Sequence, residues 1–60
     1  MQPNDFVFLQ IYRGAIKAGA KERAAKDHAI MGSEDFRRNS FKKASHLIEE
    51  RIKAAKRESK

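Results

Sequence analysis

Few residues in this chain have types and spacings that could do chemistry. The only imidazoles are His28 and His46. Glu34-Asp35 and Glu49-Glu50 are the closest pairs of acids, and Ser33, Ser40 and Ser45 are hydroxyl candidates for a nucleophile. On helices, neighbouring acids point to different faces and cannot share a proton as a catalytic pair does. The natural role of such acids is capping and i,i+4 salt pairing, as in Glu22 with Lys26 and Glu49 with Lys53. No serine has a His and an acid placed to activate it, and no glycine-rich phosphate loop is present. The chain has no cysteine, which removes disulfides and thiolate metal sites. No catalytic, cofactor-binding or metal-ligating residue is assigned, and the sequence points away from an enzyme.

Cations are the stronger signal. Lys and Arg number 14 against 8 acids, for a net charge of +6. Residues 1–36 balance five cations with five acids, so the whole excess lies in residues 37–60, where nine cations face Glu49, Glu50 and Glu58. Such asymmetry implies an acidic partner. Arg37, Arg38, Lys42 and Lys43 surround Asn39, and Arg51, Lys53, Lys56 and Arg57 follow. Arg38, Lys42, Lys53 and Arg57 fall on the side away from the Phe41/Ile48/Ile52 stripe, as a phosphate-contacting ridge would. The plainer reading is that these charges keep a small helical protein in solution.

The second signal is apolar. Phe6, Phe8, Leu9, Ile11 and Tyr12, with Val7, are apolar almost all round two helical turns. A two-helix hairpin covers one side of such a ring. The remainder calls for a homodimer core or a docking site for another protein. Sixty residues make one small domain, in which oligomerisation is a common remedy for a thin core. The apolar run is too short for a membrane helix. The expected setting is therefore the cytoplasm, with no membrane and no small-molecule substrate.

These residues need elements to position them. Proline occurs only at position 3, and glycines at 14, 19 and 32. Two segments of good helix formers remain on either side of Gly32-Ser33. Gly32 suits the residue that ends a helix, and Ser33 suits the cap of the next, with Glu34 and Asp35 in its first turn. Asn4 suits the cap of the first helix. The spacing predicts an all-α, antiparallel two-helix hairpin: helix at about 5–31, turn at 32–33 and helix at about 34–57, self-associating into a bundle. The stripes run through 8, 11, 15, 18, 22, 25 and 29 in the first helix, and through 41, 44, 48, 52 and 55 in the second. A turn at 32–33 sets Ala29 against Phe36, Ala18 against Leu47, Ile11 against Ala54 and His28 against Arg37.

One alternative is a strand over 6–12, rich in β formers. It gives the element order of ribbon-helix-helix DNA-binding dimers. A groove-reading strand carries more polar side chains than Gln10 and Arg13 supply.

In its 60-residue two-helix layout, its Met31-Gly32-Ser33-Glu34-Asp35 turn and its basic tail at 51–60, the chain resembles small helical accessory proteins encoded by bacteriophages. That resemblance transfers no site residue. It implies a non-enzymatic modulator of host or phage processes, acting through protein contacts in the host cytoplasm. Nucleic-acid binding through the basic face of the second helix is the alternative function.

Overall fold

The computed structural model describes residues 3–38 and 43–59, with residues 3 and 4 as backbone only. Within them the chain is all-α, with three helices rather than two: α1 Pro3–Lys17, α2 Glu22–Arg38 and α3 Ala44–Glu58. No strand occurs among the described residues. Segment 6–12 is helix, which removes the ribbon-helix-helix order.

Proline stands first in α1, where its missing N–H costs nothing and its fixed φ suits the helix. Asn4 therefore lies inside the first turn instead of capping it. The helix ends at Gly19, whose φ of 100° lies in the left-handed region. The Gly19 amide donates to the Ile16 carbonyl at 3.0 Å, and the Ala20 amide to the Ala15 carbonyl at 2.9 Å. This is the Schellman termination with glycine at C′. Its usual apolar contact is present too, because Ala20 and Ala15 share one core cluster.

No Ser, Thr, Asp or Asn immediately precedes α2. The cap arrives from the far end of the chain: the Lys21 amide donates to the Ser59 hydroxyl at 2.7 Å, and that hydroxyl donates to the Ala55 carbonyl at 2.9 Å. Ser59 thus closes α3 and opens α2 together. Glu22 in the first turn of α2 suits the positive end of the helix dipole.

The break expected at Gly32-Ser33 does not exist. Gly32 is a buried residue in the interior of α2. Its lack of a side chain serves packing: a Cβ there would meet Ile11 Cδ1 at 2.2 Å and Arg51 Cγ at 2.9 Å. Ser33, expected as a cap, is also inside α2.

Folding at 18–21 turns one long stripe into two, and α3 supplies the third. Val7, Ile11, Ala29 and Leu47 form one core cluster, flanked by Phe8, Tyr12, Phe36, Ala44 and Ile48. Ala15, Ala20, Ala25 and Ala55 form the other, where small side chains let the helices come close. Ala29 and Leu47 both lie at the level of Val7 and Ile11, and Ala55 at that of Ala15. So α2 runs antiparallel to α1, and α3 parallel to it. The pairing set by a turn at 32–33 is replaced throughout: Ala29 packs with Val7, Ile11 and Leu47, and Ala18 is exposed. Ala18 and Glu22, the weak members of the expected continuous stripe, are both exposed.

Candidate functional site

The aromatic ring at the start of the chain is mostly an internal structure. Val7 and Ile11 are 0 % exposed. Ile11 cannot serve as an outward contact, because α2 and α3 enclose it; the face that two helices would have left bare is covered by the third. Phe8 and Tyr12 are half-buried against the same core, their rings stacked at 6.3 Å between centroids. Leu9 is half-buried, and Phe6 is 48 % exposed. A surface remains, but with a different membership. At 100° per residue, Phe6, Leu9, Arg13 and Ile16 lie within about 80° of one another on the outer side of α1. Ile16 is 41 % exposed and was not among the expected contacts. It lines an open cleft of about 420 Å³ together with Tyr12, Arg13, Lys17 and Glu22.

The expected cations are on the surface. Arg37 and Arg38 occupy the last turn of α2, and Lys43 is the residue before α3. Lys42 lies outside the described residues, as do Asn39, Ser40 and Phe41. Lys53, Lys56 and Arg57 are exposed on α3. His46, Glu50, Lys53 and Arg57 recur at spacings of four, three and four, so they share the outer face of that helix. Among the described residues no Lys or Arg is ion-paired with an acid, and the one short contact of this kind joins His28 to Glu58. The expected Glu22–Lys26 and Glu49–Lys53 pairs do not form, and among the described residues none of Arg37, Arg38, Lys43, Lys53, Lys56 and Arg57 is held in an ion pair.

Sequence reasoning missed a polar cluster centred on a buried histidine. His28 is 5 % exposed, on the inner face of α2 with Ala25, Ala29 and Gly32. Its Nε2 meets Glu58 Oε2, not Arg37, and Arg51 Nη1 lies 3.4 Å from its Nδ1. Both contacts are satisfied when Nε2–H donates to the carboxylate and Nδ1 accepts from the guanidinium. Arg51 Nε is buried without a hydrogen-bond partner among the described residues, and Nη1 also lies 3.9 Å from Met31 Sδ. This cluster ties α3 to α2. A signal for it existed in the 25-28-29-32 spacing, which puts His28 on an inner stripe. Its partners on α3 depended on a register that no local pattern encodes.

Among the described residues no group of three or more His, Asp or Glu side chains could hold a metal ion, and no helix is long and apolar enough to cross a membrane. Compared with protein families, characterised proteins and solved structures, the chain shows no match.

Proposed function

We propose that this chain is a non-enzymatic nucleic-acid-binding domain. Its contacts are Arg37, Arg38 and Lys43 at one end of the bundle and Lys53, Lys56 and Arg57 along α3. The observation that carries this reading is the absence of any ion-pair partner for these six exposed cations among the described residues. A surface cation held in no ion pair is free to replace a counterion condensed on a phosphate backbone. Four of the cations span the 15 residues from Lys43 to Arg57, about 21 Å along α3. That length suits a backbone track better than a point contact.

Fluorescence anisotropy with a labelled 20-mer, duplex and single-stranded, tests the proposal at 50 and 200 mM salt. Four to six phosphate contacts, at a slope of about −0.9 each, predict a loss of roughly 10²- to 10³-fold in affinity between the two. No binding at 50 mM salt would remove the reading.

A second reading, a protein-binding modulator of the kind bacteriophages encode, draws support from Phe6 and Leu9 remaining at the surface. It lost two of the three features behind that resemblance: the two-helix layout, because the chain has three helices, and the Met31–Asp35 turn, because those residues are interior to α2.

A further inference from the structure

The outer face of α1 carries Asp5 near its start and Arg13 and Lys17 near its end. Phe6, Leu9, Arg13 and Ile16 follow a spacing of three, four and three, the a/d seam of a helix pair. Phe6 is the most exposed large apolar side chain among the described residues. An open cleft stands beside Ile16, at the other end of the same face.

We propose that this face binds a second copy of the chain, with the two first helices antiparallel and Phe6 of each copy seated in the cleft beside Ile16 of the other. A two-fold interface must be self-complementary, and this one is. About a centre at residue 11, Phe6 meets the partner's Ile16, and Leu9 meets the aliphatic stem of the partner's Arg13. A parallel pairing would set Arg13 against the partner's Arg13. The antiparallel one instead brings each acidic start, at Asp5, to the other copy's basic end, at Arg13 and Lys17. The inference is independent of nucleic-acid binding, because none of the six cations assigned to that function lies on α1.

The seam from Phe6 to Ile16 is about 15 Å long, and interfaces this small belong to weak, reversible complexes. Sedimentation equilibrium from 10 µM to 1 mM is the test. The expected result is a monomer–dimer equilibrium, with half-association at roughly 0.1 mM. Phe6→Glu should weaken dimerisation at least tenfold and leave the circular dichroism spectrum unchanged, since Phe6 fills no part of the core. Ile16→Lys should do the same from the other side of the contact. Asp5→Lys should weaken the dimer several-fold, and adding Lys17→Asp should restore it. A wild-type chain that is monomeric at 1 mM overturns the proposal. So does a dimer that survives both Phe6→Glu and Ile16→Lys, or a charge-reversed pair that fails to recover.

Discussion

Replacing Gly19 by alanine reports directly on how the chain is divided. With φ at 100°, Gly19 occupies backbone space that L residues avoid. Nothing lies within 4 Å of the position a Cβ would take, so neither a clash nor a new contact enters the sum. What remains is backbone strain, about 1–2 kcal/mol for an alanine in the left-handed region. It is offset in part by the reduced freedom of the unfolded chain, about 0.4–1 kcal/mol. The net expectation is a loss of about 1 kcal/mol, in a domain whose whole stability is about 3–9 kcal/mol. At this size such a loss lowers Tm by roughly 4–8 °C. Were the chain helical through residue 19, the same substitution would remove a helix-interior glycine and raise stability by about 1 kcal/mol. The two architectures thus predict opposite signs. Thermal unfolding followed at 222 nm at low micromolar concentration reads the difference without interference from self-association. Gly19→Asn should lose less than Gly19→Ala, because asparagine tolerates positive φ. D-alanine at position 19, accessible by synthesis in a chain this short, should stabilise. A rise in Tm for Gly19→Ala would refute the Schellman end of α1 and the three-helix fold with it.

Ile11→Ala should cost about 2–5 kcal/mol, since Ile11 is fully enclosed in the main core cluster, and chemical denaturation would show the chain close to unfolded. Gly32→Ala gains about 1 kcal/mol in helix propensity but drives a methyl into Ile11 and Arg51, an overpacking cost of about 1–3 kcal/mol; urea titration should show net destabilisation, partly rescued by Ile11→Val. His28→Ala should lose about 1–3 kcal/mol by leaving Arg51 less satisfied in a buried setting. Glu58→Ala should lose less, because that side chain is 62 % exposed and its attraction is screened; a double-mutant cycle on urea midpoints measures the coupling. Glu50→Gln removes an acid from the outer face of α3 and should tighten nucleic-acid binding at low salt, an effect that anisotropy at 200 mM should find diminished.

The charge asymmetry, the helical class and the identity of most core residues follow from local sequence. Ile11, Ala15, Ala25, Ala29, Leu47 and Ala55 recur at helical spacing, and that spacing marks an inner face whatever the topology. Local sequence also holds two glycines that can each end a helix, Gly19 and Gly32, and its local signals favour the one at which the chain does not break. Ser33, Glu34 and Asp35 give Gly32 the surroundings of a boundary, while Lys21 offers no cap beside Gly19. The choice was made by contacts distant in sequence. Ser59 supplies the cap that α2 lacks, and Ile11 and Arg51 fill the space over Gly32 that any side chain would occupy. His28 likewise found Glu58 and Arg51 through the register of α3 against α2. The reason is general. A periodic pattern encodes which side of a helix faces inward, whereas a boundary depends on whether the backbone groups freed there find partners. In this chain those partners come from the other end of the molecule.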